Sequence, residues 1–197
     1  MSTSTASDGS IVVAGHEVFS ASRDRGATWA RIDTDLPSLD IHGFTRDPGD
    51  PKRMWAYLAI GGLWESIDFG SHWTRVREDN VLNPLAVRDG STTRLLGVDT
   101  SGLVVSDDGG RAWTNLAMPE TYPMSALTGS SDGHVLLAGS LDGLFRSDDG
   151  GRTWMKTAYT GSVFAIATDS QGRTIAIVSQ ETSFYRSNDG GRTWPGP

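Results

Sequence analysis

One octet, Ser-x-Asp-x-Gly-x-x-Trp, occurs five times in this 197-residue chain, and it restricts the possible folds more than any other feature. The copies are "SRDRGATW" (Ser22 to Trp29), "SIDFGSHW" (Ser66 to Trp73), "SDDGGRAW" (Ser106 to Trp113), "SDDGGRTW" (Ser147 to Trp154) and "SNDGGRTW" (Ser187 to Trp194). Their first residues are spaced by 44, 40, 41 and 40. A repeat near 40 residues is the length of one four-stranded propeller blade.

The segments between octets read as strands. "HVLLAG" followed by "GLFRS" gives two short apolar runs joined by a tight loop, and "RMWAYLAIGGLWES" and "RTIAIVSQETSFYRS" repeat the pattern. "FAIATDSQGRTIAIV" reads as a hairpin with a glycine-containing turn. No segment sustains the 3.6-residue apolar period of a helix. With strands lettered A to D outward from the axis, a typical repeat is A "SVFAIAT", B "RTIAIVS", C "SFYRS", the octet, then D, as in "TWMKTAY". The octet thus falls on the C-to-D turn. Its Ser and Asp can bind nearby backbone N–H groups, its Gly accepts positive φ, and its Trp offers a large face for packing between sheets. A group repeated in every blade is a staple, not a catalyst.

The fold class expected is all-β: a β-propeller of four-stranded antiparallel blades with five repeats. A single domain spans residues 1–197, with repeats at about 1–36, 37–79, 80–119, 120–160 and 161–197. The octet resembles the Asp-box, or bacterial neuraminidase repeat. Nearly the whole chain is similar to Asp-box propellers such as sialidases, oligoxyloglucan-type glycosidases, the sortilin ectodomain and photosystem assembly factors. "DIHGFTRDPGDPKRMWAYLAIGGLWES" also resembles bacterial glycosyl hydrolase-like repeat proteins, often exported. In that family the box is structural and lies away from the active site. Carried over residue by residue, the structural set is Ser22, Asp24, Gly26 and Trp29; Ser66, Asp68, Gly70 and Trp73; Ser106, Asp108, Gly110 and Trp113; Ser147, Asp149, Gly151 and Trp154; and Ser187, Asp189, Gly191 and Trp194. Two copies depart at the Thr position, with His72 and Ala112.

Composition excludes several classes. With 24 acidic against 17 basic residues, the net charge of −7 argues against a nucleic-acid partner. The absence of cysteine removes disulfides, thiolate metal sites and a Cys nucleophile. No apolar run is long enough for a membrane span, and "MSTSTASDGS" lacks a signal-peptide pattern. The compartment stays open; the resemblance alone implies export to the periplasm or exterior.

Propeller topology puts the D-to-A and B-to-C loops on the face opposite the boxes, where a ligand is expected at the channel mouth. Those loops carry Asp40, His42, Glu78, Asp79, Asn83, Asp99, Glu120, Tyr122, Asp142, Tyr159 and Glu181. From these and Trp64, the ligand-binding candidates are His42, Trp64, Asn83, Tyr122, Tyr159 and Glu181, and the catalytic candidates are Asp40, Glu78 and Asp99. Sialidase chemistry needs an arginine cluster to hold the sugar carboxylate. Here only Arg77 approaches this face, and the Arg-Ile-Pro motif that precedes the first box in sialidases is missing. Two readings remain. One is a non-catalytic binding or assembly module for a glycan or protein partner. The other is a glycoside hydrolase using two carboxylates across a cleft.

No cofactor is expected. The four histidines, His16, His42, His72 and His134, show no paired spacing, so no metal site is expected either. The ends raise one more question. "PGP" after Trp194 cannot form an outer strand, and "MSTSTASDGS" is a poor inner strand. A fragment of a six- or seven-bladed ring, a mis-assigned start and an incompletely closed five-repeat ring all stay open.

Overall fold

The computed structural model describes residues 2–6, 8–118 and 124–195. It is a five-bladed β-propeller with no helix among the described residues. Blade 1 comprises β1 (Ser2–Thr5), β2 (Ile11–Gly15), β3 (Val18–Ser22) and β4 (Ala30–Arg31). Blade 2 comprises β5 (Ile41–Arg46), β6 (Met54–Leu58), β7 (Gly62–Ser66) and β8 (Thr74–Arg77). Blade 3 holds β9 (Leu82–Asp89), β10 (Thr92–Asp99), β11 (Gly102–Ser106) and β12 (Thr114–Asn115). Blade 4 holds β13 (Met124–Gly129), β14 (Leu136–Ser140), β15 (Gly143–Ser147) and β16 (Met155–Lys156). Blade 5 has three strands, β17 (Ala165–Thr168), β18 (Ile175–Val178) and β19 (Phe184–Ser187). Every neighbouring pair within a blade is antiparallel.

The second strands of blades 2 and 4 are buried along their whole length because both of their faces are covered. Every residue of β6 ("MWAYL") and β14 ("LLAGS") is buried. Alternate residues belong to different junctions: Met54, Ala56 and Leu58 pack toward blade 1, while Trp55 and Tyr57 pack toward blade 3. The strand therefore shows no in–out alternation, for the same reason that strands covered on both faces read as continuous apolar runs.

The boxes are closed hydrogen-bonded turns. In all five, the Ser Oγ donates to the Asp Oδ1 at 2.7–2.9 Å. The same oxygen accepts the amide of the conserved-position glycine, at 2.7–2.9 Å. The Trp indole donates to that glycine's carbonyl at 2.8–3.1 Å. Two consecutive residues of each turn take positive φ, as at Phe69 (66°) and Gly70 (86°). Where the Thr is replaced, the Asp finds other donors. The His72 ring Nδ1 lies 2.6 Å from Asp68 Oδ2, and the Ala112 amide bonds both oxygens of Asp108.

These bonds hold the carboxyls ionised. The Thr28 hydroxyl on Asp24, the His72 amide on Asp68 and the Thr153 hydroxyl on Asp149 bring each down to about 2, and Thr193 acts likewise on Asp189. A carboxyl whose folded pKa lies below its unfolded value of about 3.9 contributes its full stability above that value and loses it as the pH falls toward the folded pKa. We expect the melting temperature to be flat above about pH 5 and to fall steeply between about pH 4 and pH 2. Circular-dichroism melts across that range would check this, and Asp149→Asn should flatten part of the slope. A slope unchanged in that variant would remove the box as its source.

Four hydrophobic clusters fill the four junctions between successive blades. In each junction the box Trp of the later blade joins the cluster: Trp73 beside Phe19, Trp113 against the cluster that holds Trp55 and Leu63, Trp154 in the cluster that holds Leu103 and Val105, and Trp194 beside Tyr159. Polar staples run the same way. The Trp55 indole donates to the Gly109 carbonyl, Arg94 to Gly150, and Arg146 to Gly172 and Gly190.

Among the described residues no such cluster joins blade 5 to blade 1, and the two facing sheets differ accordingly. Trp29 is 47% exposed where Trp73 is 8%. Phe164 and Phe184, on the outward face of blade 5, are 62% and 58% exposed. Arg186, one residue before its box serine as Arg146 is, also lies exposed there. The polar N-terminal stretch does form an inner strand, contrary to its composition. Ser2–Thr5 pairs residue for residue with Ile11–Ala14, because hydrogen bonding to a neighbouring strand requires backbone and not apolar side chains. Among the described residues, the sheet of blade 5 ends at β19.

Candidate functional site: the channel mouth

Contacts across blades place the D-to-A and B-to-C loops on one face. The turn after β2 meets the loop before β5, where His16 and Asp40 form a backbone bridge. The end of β8 meets the turn after β10, where Arg77 Nη2 lies 3.3 Å from Asp99 Oδ2. In blade 5, the Ser162 hydroxyl donates to Glu181 Oε2 at 2.8 Å.

Asp40, Glu78, Asp99 and Glu181 on this face each engage a partner. Asp40 Oδ1 sits 2.6 Å from His16 Nδ1 and 3.1 Å from His42 Nε2. Asp99 accepts from the Ser101 amide and hydroxyl and from Arg77; although its partial burial acts upward, these bonds and the Arg77 charge hold its pKa below the usual range. Glu78 is highly exposed and paired with Arg75 at 2.7 Å. Glu181 is lowered by the Ser162 hydroxyl. Asp40, Glu78 and Asp99 thus engage three different partner groups. Among the described residues, every carboxyl with a displaced pKa is displaced downward, whereas a glycosidase acid needs one raised.

The other candidates divide. His42 is half-exposed at the mouth, edge-on to His16 with ring centroids 4.8 Å apart. Trp64 is half-buried against the junction of blades 1 and 2, its indole donating to Gly61. Asn83 takes a positive φ and donates to the Ser125 carbonyl, tying β9 to β13. Tyr159 is buried, bonded to the Ser162 carbonyl and packed on Tyr185 and Trp194, so it belongs to the core. Tyr122 and Glu120 lie outside the described residues.

Two features of this face were missed from the sequence. Ile60 is 90% exposed in the B-to-C turn of blade 2, Leu141 is exposed in that of blade 4, and Leu82 stands exposed at the start of β9. An apolar residue inside a tight polar turn, as in "AIGG" and "SLDG", was the available signal. The second is the joining of His16 to Asp40 and His42, one ligand-type atom from each lying within 4.8 Å of the others. The histidines stand 26 positions apart in the chain, and only the blade 1–blade 2 junction brings them together.

A cavity of about 880 Å³ lies on the opposite, box side between blades 4 and 5, lined by Arg146, Lys156, Arg173, Asp189 and Arg192 among others. Arg146 there is already bonded to Asp148 and to the Gly172 and Gly190 carbonyls, so the cavity follows the inter-blade staples.

Five blades carrying a stapled C-to-D turn define a β-propeller of repeat type. The chain belongs to the DUF6242 beta propeller domain family, whose model matches residues 9–196. No curated protein matches it in sequence. Among solved structures it is similar to an ancestral GH74 enzyme, at 15% identity and a TM-score of 0.68, over 95% of this chain and 29% of that one. It is also similar to YCF48 from Cyanidioschyzon merolae, at 17% identity and a TM-score of 0.62, over 98% of this chain and 70% of that one. YCF48 bound to D1 peptide matches at 17% and 0.60, over 97% and 64%. The chain thus spans under a third of the GH74 enzyme, and at these identities the likeness is one of fold.

Proposed function

We propose that this propeller is a non-catalytic binding or assembly module whose channel-mouth face holds a protein partner. The observation that carries the reading is the pairing of bare apolar residues with committed acids on that face. Ile60, Leu82 and Leu141 stand exposed, while Asp40, Asp99 and Glu181 are already engaged by neighbouring groups, and the pKa values of Asp99 and Glu181 are held down by theirs. Exposed apolar side chains rimmed by charge suit a polypeptide surface. Acids held ionised serve recognition, not proton donation to a leaving group. The D1 peptide bound to YCF48 is compatible with such a use of the fold.

A glycoside hydrolase, the activity of the GH74 neighbour, is the second reading and would need two facing acids. Arrays of peptides and glycans probed with labelled protein test both. We expect peptide capture without hydrolysis, weakened roughly tenfold or more by Ile60→Asp with Leu141→Asp. Turnover of a glycan, abolished by Asp40→Asn or Asp99→Asn, would overturn the proposal. Glycan capture without turnover, lost in Trp64→Ala, would replace the protein partner by a carbohydrate.

A further inference from the structure

We propose that His16, Asp40 and His42 form a site for a divalent transition-metal ion of the zinc type. One ligand atom from each side chain lies within 4.8 Å of the others. Two imidazoles and a carboxylate are a donor set suited to Zn²⁺, Co²⁺ or Ni²⁺ and unsuited to Ca²⁺ or Mg²⁺, which take oxygen. Around a tetrahedral ion with bonds of about 2.0–2.1 Å, ligand atoms stand roughly 3.3–3.5 Å apart. The present contacts to Asp40 Oδ1, 2.6 and 3.1 Å, need to open by less than about 1 Å to admit it.

The backbone holds the ligands in place. His16 and Asp40 form a bridge between the two blades, the Glu17 amide donates to the Leu39 carbonyl at 3.0 Å, and the Ala59 amide donates to the Asp40 carbonyl at 3.3 Å. The Asp40 amide donates to Ser38 Oγ at 3.0 Å. Neither strand can drift without breaking this set. The side chains themselves are exposed, at 69%, 45% and 41%, so coordination positions stay open to water or to a donor from a partner. His72 offers an internal comparison. It also faces a carboxylate, Asp68, but has no second imidazole beside it and is consumed by the box. The site stands independently of the protein-partner reading, since it rests on ligand geometry and not on the apolar rim.

Calorimetry with zinc chloride, and visible absorption with cobalt chloride, on chelator-treated protein would test it. We expect one ion per chain and cobalt bands of a low-coordinate site. His16→Ala and His42→Ala should each weaken binding roughly tenfold or more, with His72→Ala unchanged. Zinc should raise the melting temperature of the wild type but not of those two variants. Near-unchanged circular dichroism in the variants separates lost ligands from lost fold, and Asp40→Asn provides a third, conservative substitution. Absence of heat at millimolar metal, or binding that survives both histidine variants, would overturn the proposal. So would binding abolished by His72→Ala.

Discussion

Trp55→Ala is expected to lower stability by about 3–5 kcal/mol, among the largest losses available in this chain. Trp55 is fully buried at the junction of blades 2 and 3. Its indole donates to the Gly109 carbonyl at 3.1 Å, and the Arg53 guanidinium lies 4.6 Å over its ring. Truncation leaves a cavity, an unpaired carbonyl and an arginine without its platform. The box tryptophans supply the comparison that makes this specific to the junctions. Trp73 and Trp29 occupy the same position of the same octet, and both bond their own glycine carbonyl. Only Trp73 has an earlier blade to pack on. Trp73→Ala should cost about 3 kcal/mol or more, and Trp29→Ala about 1 kcal/mol or less. Denaturant unfolding with unchanged m-values would measure the difference. Equal costs would mean that the open face of blade 1 is covered in solution.

That contrast also marks what the sequence could reveal. Octet spacing fixed the blade count and order, since a repeat that buries its face only against a neighbour announces itself by period. The box turns were equally open to reading, because each is closed by residues within eight positions. What stayed hidden was whatever depends on which repeats face which. Tyr159 read as a loop tyrosine, yet it fills the junction with blade 5 beside Trp194. Asn83 read as a ligand contact, yet it ties blade 3 to blade 4. His16, in the turn "GHE", had no reason to be joined to Asp40 and His42 until blades 1 and 2 were set side by side. Ser2–Thr5 failed the apolar criterion for a strand and still pairs in full register with β2, since its backbone satisfies the ladder.

Gly70→Ala should cost about 2–5 kcal/mol, from two sources that add at one atom. At φ +86° an L-residue carries a left-handed penalty of about 1–2 kcal/mol. The added Cβ would also lie 2.6 Å from Phe19 Cζ and 2.8 Å from its Cε1. Phe19 cannot yield, being 1% exposed and hemmed by Phe44 and Trp73 with centroids 5.9 and 6.0 Å away. Overpacking of this kind adds about 1–3 kcal/mol. Gly90, in the β9–β10 hairpin turn, isolates the backbone part: its φ is +61° and nothing lies within 4 Å of an added Cβ. Gly90→Ala should therefore cost only about 1–2 kcal/mol. If the two variants lose the same stability, the box glycine is needed for its turn alone. If Gly70→Ala loses more and Phe19→Leu restores part of it, the octet acts as drawn here, with one residue closing the turn and admitting the neighbouring blade.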